Sequence, residues 1–118
     1  MNSDKQRPPT ASRTFSRRDF LQRSATTVSA AIAALPADSV GAVLHDPPRF
    51  GIAGELYSQA FYDQLARVLR RRGRLFHYTG TPNRLTTGRD VPAEVAKRLR
   101  AAGFATELSG DGVLAVRK

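Results

Sequence analysis

Residues 40–51 read VGAVLHDPPRFG. The stretch Val40–Leu44 is uncharged and built from small, branched and aliphatic residues, which suits an extended conformation. Its low polarity predicts a strand buried on both faces. Pro47 and Pro48 end it, because neither has an N–H to give to a ladder. A strand is therefore expected over residues 40–46. Asp46 stands where the chain leaves the sheet, and what it does there depends on its surroundings.

Upstream, SRRDFLQRSATTVSAAIAALP (16–36) reads as a helix. Ser16 can cap it, Asp19 follows three residues later, and Pro36 closes it. Downstream, LYSQAFYDQLARVLR (56–70) places apolar residues at 57, 61, 65, 68 and 69, a helical spacing. Tyr57, Phe61 and Tyr62 are assigned to helix packing. Arg70, Arg71 and Arg72 are expected at the helix C-terminus, where cations complement exposed carbonyls, and Gly73 is expected to stop it. RLFHYTG (74–80) reads as a second strand. TPNRLTTGRD (81–90) reads as a polar loop ending in a capping Asp90. VPAEVAKRLRAAG (91–103) is a third helix with Val91, Val95, Leu99 and Ala102 on one stripe. FATELS (104–109), GDG (110–112) and VLAVR (113–117) form a β-hairpin. Alternating helices and strands predict an α/β fold with parallel strands joined by crossovers, plus a C-terminal antiparallel hairpin.

The 118 residues support one domain. Residues 1–15 are polar, contain Pro8-Pro9 and lack an apolar period, so a disordered leader is expected there and the α/β domain over 16–118. There is no cysteine, and two histidines are too few and too isolated to suggest a metal site. No apolar run approaches the ~20 residues of a membrane-spanning helix. The formal charge is +9. Residues 1–24 carry six basic and two acidic side chains, and residues 25–118 carry thirteen and eight, so the excess is spread along the chain. Nucleic acid is an open partner on this charge, against an arginine-rich surface with no such role.

With these elements in order, the chain resembles the C-terminal half of class I S-adenosylmethionine-dependent methyltransferases. Within them it is most similar to a group of predicted archaeal methyltransferases related in fold to spermidine synthases. The likeness rests on VGAVLHDPPRF, on FYDQLARVLR, on GRLFHYTG and on the final helix and hairpin, and covers roughly residues 25–118. Many members read a leucine, Lys-Pro and paired glycines after the central helix, whereas this chain has Arg70-Arg71-Arg72-Gly73. The resemblance implies a partial Rossmann-like methyltransferase sheet. It implies that Asp46 orients an amine nucleophile, on a small molecule or a nucleic-acid base. Pro47 and Pro48 would aim backbone carbonyls outward, Phe50 would pack on a planar substrate, and His77 and Tyr78 would end the next strand on the same rim. Arg49 could meet an anionic substrate or simply be solvated.

S-adenosylmethionine is the cofactor the family implies, yet its glycine-rich loop and ribose-binding acid have no counterpart here, because no glycine precedes Gly41. The expectation is a methyltransferase-family fragment inactive alone. Three readings follow: half an enzyme needing a complementing chain, a basic binding module, or a remnant without activity. A strand 40–46 without its usual neighbour would favour self-association or a partner. Cytoplasmic location is the expectation. The alternative is export by a twin-arginine signal over residues 16–42, since SRRDFLQ matches that pattern and VGA ends on a small residue. Cleavage there would cut into the strand that carries Asp46.

Overall fold

The computed structural model describes residues 17–48, 54–80 and 90–118, with side chains from residue 26 onward. The expected leader 1–15, the Ser16 cap, Arg49, Phe50 and most of the loop 81–90 lie outside the described residues. The elements run α1 (Arg17–Ala34), β1 (Val40–His45), a 3₁₀ turn (Gly54–Tyr57), α2 (Gln59–Val68), β2 (Leu69–Tyr78), α3 (Val91–Ala101), β3 (Phe104–Ser109) and β4 (Gly112–Arg117). The four strands form one sheet in the order β1-β2-β4-β3. β1 and β2 are parallel, while β4 is antiparallel to both β2 and β3. This is the expected α/β sheet with a terminal hairpin, and β4 inserts between β2 and β3.

The inner face of the sheet forms the core. Leu75, Phe104, Val113 and Ala115 pack there against Phe61, Leu65, Val95 and Leu99 of α2 and α3. Ser58 caps α2 by accepting a hydrogen bond from the Phe61 N–H at 3.1 Å. Asp90 caps α3 in the same way, accepting from the Ala93 N–H at 3.2 Å. Both caps satisfy a helix N–H that has no partner within its own helix. α1 packs on α2 and the 3₁₀ turn, and its Ile32 reaches the core. Its last turn has no basic residue of its own. Arg67 of α2 supplies the charge, donating to the Ile32 and Ala33 carbonyls at 3.2 Å each.

Two expectations are corrected. First, α2 stops at Val68, before the arginines expected at its C-terminus, and Arg70–Arg72 belong to β2. Leu69 turns extended, with φ −71° and ψ 138°. That turn lets Leu69 bury completely and pair with Val40. Burial of an aliphatic side chain outweighs the modest helix propensity of the arginines. Gly73 is needed for a different reason. A Cβ there would lie 2.7 Å from the Arg70 carbonyl oxygen and 2.9 Å from Leu69 Cδ2, so only glycine fits the tight bend in β2.

Second, β1 is not buried on both faces. Leu44 is 72% exposed, whereas its neighbour His45 is buried. Alternation puts Ala42 and Leu44 on the outer face of the sheet with Phe76, Tyr78, Leu114 and Val116. Among the described residues all helices lie on the inner side. β1 is also an edge strand with β2 as its one described neighbour. Among the described residues, no helix is long and apolar enough to cross a membrane.

Candidate functional site

The carboxyl ends of β1 and β2 lie side by side, with His45 paired to His77. Just beyond them a depression of about 180 Å³ is lined by Asp46, Pro47, Tyr57, Tyr78, Thr79 and Gly80. The Asp46 side of the depression exists because Pro47 and Pro48 cannot continue the ladder. The Tyr78 side is held by the β3–β4 turn, whose Asp111 carbonyl accepts from the Thr79 and Gly80 N–H groups, each at 3.0 Å. Gly112 makes this approach feasible: a Cβ there would strike the His77 carbonyl and the Phe76 ring.

Beneath the depression lies a buried polar network. The Tyr57 hydroxyl donates to the Pro48 carbonyl at 2.9 Å and so ties the Asp-Pro-Pro segment to the 3₁₀ turn. His45 Nε2 donates to the Leu56 carbonyl at 3.0 Å, joining the end of β1 to the same turn. His77 Nδ1 lies 2.9 Å from the Tyr78 carbonyl. A carbonyl can only accept, so Nδ1 carries the proton, and His77 Nε2 accepts from the Tyr62 hydroxyl at 2.9 Å. The two imidazoles meet edge to face, with ring centroids 4.5 Å apart.

Burial sets the ionisation of this network. His77 is held down to about 3, first by loss of hydration and then by the neighbouring His45, against the hydrogen bond to Tyr78. His45 is also lowered by burial, and its bond to Leu56 and the Asp46 charge oppose the shift. The Tyr57 hydroxyl is pushed up to about 12 by burial, with a contribution from the Asp46 carboxylate. At neutral pH both histidines are therefore neutral and Tyr57 is a hydrogen-bond donor. Among the described residues no group of three or more His, Cys, Asp or Glu side chains could hold a metal ion.

The sequence-derived candidates divide accordingly. Asp46, Pro47 and Tyr78 meet around the depression, and Pro48 is tied just behind it. Asp46 is exposed, and Tyr78 is 41% exposed. His77 is fully buried, faces the core and reaches the rim only through the Tyr78 carbonyl. Phe50 lies outside the described residues. Tyr57, Thr79 and Gly80 were not singled out by sequence as lining residues. For Tyr57 a signal existed: Ser58 is a strong N-cap residue, and a cap at 58 places Tyr57 before the helix rather than on its packing stripe.

A four-stranded mixed sheet with a parallel pair, an inserted antiparallel strand and a depression at its carboxyl edge defines a mixed α/β fold. Among solved structures, that of a candidate DNA modification methylase from Thermus thermophilus is similar to this chain. The TM-score is 0.54 at 20% sequence identity, over 76% of this chain and 50% of that one. The same methylase in complex with S-adenosyl-L-methionine gives 0.53 at 19% identity, over 75% and 48%. Among curated proteins, an uncharacterized protein of the archaeon Methanocaldococcus jannaschii is 53% identical over 62 residues, which are 52% of this chain and 22% of that protein. The chain thus spans about half the length of its structural relative and about a fifth of its sequence relative. No protein-family profile matches it.

Proposed function

We propose that this chain supplies the acceptor side of a methyl-transfer site, taking an amine or the exocyclic amino group of a nucleic-acid base. The observation that carries the reading is the convergence of Asp46, Tyr57 and Tyr78 on one depression. It lies outside the carboxyl ends of parallel strands, where open α/β sheets bind ligands. Asp46 accepts a hydrogen bond from an acceptor N–H and orients that nitrogen. Pro47 and Pro48 hold the carboxylate in place, with Tyr57 locking the Pro48 carbonyl from below. Tyr78 presents its exposed ring to a planar group, and Phe50 is assigned to the same task. His77 acts as a positioning residue through the Tyr78 carbonyl.

The described residues do not fit S-adenosylmethionine as a whole. The depression is smaller than the ~300–1,000 Å³ usual for ligand and cofactor sites. Asp46 is its single carboxylate, and it has no glycine-rich turn after a strand of the kind that cradles a nucleotide. We therefore assign the cofactor to no residue here and place its site on a complementing chain of different sequence, joined at the outer edge of β1. Support for such a partner comes from the outer edge of β1, which has no strand partner among the described residues and no charge or proline within Val40–Leu44 to blunt it.

Titration of the isotopically labelled chain with adenosine and cytidine, followed by NMR, tests the acceptor reading. The expected result is weak, millimolar-range binding (about −4 kcal/mol) that shifts the amides of Asp46, Thr79 and Gly80 together and is lost in Asp46→Ala. Shifts scattered over the molecule, or unchanged by the substitution, would sink it. Calorimetry with S-adenosylmethionine checks the cofactor assignment separately: no saturable isotherm is expected at micromolar concentration, and a saturable one would place the cofactor on this chain.

A further inference from the structure

At the opposite end of the sheet, β2 departs from regular pairing. Val40 pairs with Leu69, and the next pair is Ala42 with Arg74, so a step of two residues on β1 answers to a step of five on β2. The surplus is a tight bend at Arg70–Gly73. Arg72 adopts φ 66°, the left-handed region that an L side chain occupies only at a cost. The Arg70 carbonyl lies close over Gly73. Arg70, Arg71, Arg72 and Arg74 are all exposed, and none of their side chains forms an ion pair or hydrogen bond with another described residue. The acid at this end, Asp38, is already paired with Arg117.

Free guanidinium groups crowded onto one strained bend repel one another, and a glycine at position 72 would fit the backbone without strain. Strain retained at a particular side chain points from structure to function. The side chains stand exposed on one turn, so they suit an extended polyanion better than a single enclosed small anion. Guanidinium groups match phosphate oxygens bidentately. The bend carries no apolar side chain to insert into a bilayer. We propose that Arg70–Gly73, with Arg74, docks the phosphodiester backbone of a nucleic acid. This holds whether or not Asp46 orients an acceptor, because it rests on the other end of β2.

The test is the salt dependence of binding to a random-sequence duplex of about 20 base pairs, read by fluorescence anisotropy on the full chain. Each phosphate contact contributes about 0.9 to the slope of log affinity against log salt, so the four arginines predict a slope of about −3 to −4. Arg70→Gln with Arg71→Gln should reduce its magnitude by about 2, so that the affinity change between 50 and 200 mM salt shrinks about tenfold. The charge-matched control, Lys97→Gln with Arg100→Gln on exposed positions of α3, should change the slope by less than about 0.5. Arg72→Gly, which relieves the bend and so folds, should reduce the magnitude of the slope by about 1. Equal effects of the two double variants would reduce the finding to net charge and overturn the proposal. So would no binding at 50 mM salt, or turn-dependent binding to phosphatidylserine vesicles without binding to the duplex.

Discussion

The two faces of the sheet are made from alternate residues of the same strands, yet they have different fates. On the inner face Leu75, His77, Val113 and Phe104 are each 0% exposed under α2 and α3. On the outer face Leu44 is 72% and Tyr78 is 41% exposed. Both faces carry apolar side chains, so composition does not distinguish them. Helix placement does: the crossovers through α2 and α3 run on one side, as right-handed connections between parallel strands of one sheet require. An exposed apolar face of this kind is where a further layer of protein would pack.

The strongest way to break this comparison is truncation on each face. Leu75→Ala should cost about 2–5 kcal/mol, since it opens a cavity in a filled core. Leu44→Ala should stay within about 0.5 kcal/mol in a dilute monomer. Urea unfolding gives both values. If Leu44→Ala costs as much as Leu75→Ala, and light scattering at the same concentration shows a dimer that Leu44→Lys dissociates, the outer face is covered by a second copy.

A smaller effect sharpens the account of the inner face. The folded chain holds His77 near 3, well below the ordinary 6.5, so the unfolded chain takes up the proton first. The stability of the neutral, buried imidazole is therefore complete above pH ~6.5 and is lost as pH falls toward ~3. The loss is at most about 1.4 kcal/mol per pH unit for each histidine so placed. Urea midpoints measured between pH 7 and pH 4 should fall accordingly. His77→Gln should flatten that dependence even if it lowers stability throughout. A pH-independent midpoint in the parent chain would show that the pair is hydrated.

The smallest expected effect lies where the inner network reaches the candidate site. Tyr57→Phe removes the hydrogen bond to the Pro48 carbonyl, and a typical bond of this kind contributes about 1 kcal/mol. Unfolding should register that loss. The amide of Asp46 should also show faster hydrogen exchange, because the tie on the Asp-Pro-Pro segment is gone. Unchanged exchange would mean that the two prolines hold the segment unaided.

Much of this arrangement was legible in local sequence. Pro47 and Pro48 end β1 by covalent geometry, Ser58 and Asp90 cap their helices, and the Gly110-Asp111 turn sets the hairpin. Strand alternation was also available: Leu75 and His77 share one face and Phe76 and Tyr78 the other, so His77 and Tyr78 could not both face outward. Tyr57 was harder, because its apolar spacing is compatible both with the helix stripe and with the 3₁₀ turn.

By itself the sequence determined the order of the elements, the end of β1 at the prolines and the α/β class. These follow from backbone restrictions and side-chain periodicity, which act over a few residues. Only the tertiary structure decided that Arg70–Arg72 leave the helix for β2, that one face of β1 stays open, and that Tyr57 reaches Pro48. Those outcomes depend on strand register and on which side the helices pack. Register and packing side are set by contacts between residues far apart in the chain: burial of Leu69 beside Val40, insertion of β4 against β2, and the fit of Gly73 and Gly112 to the backbones they meet.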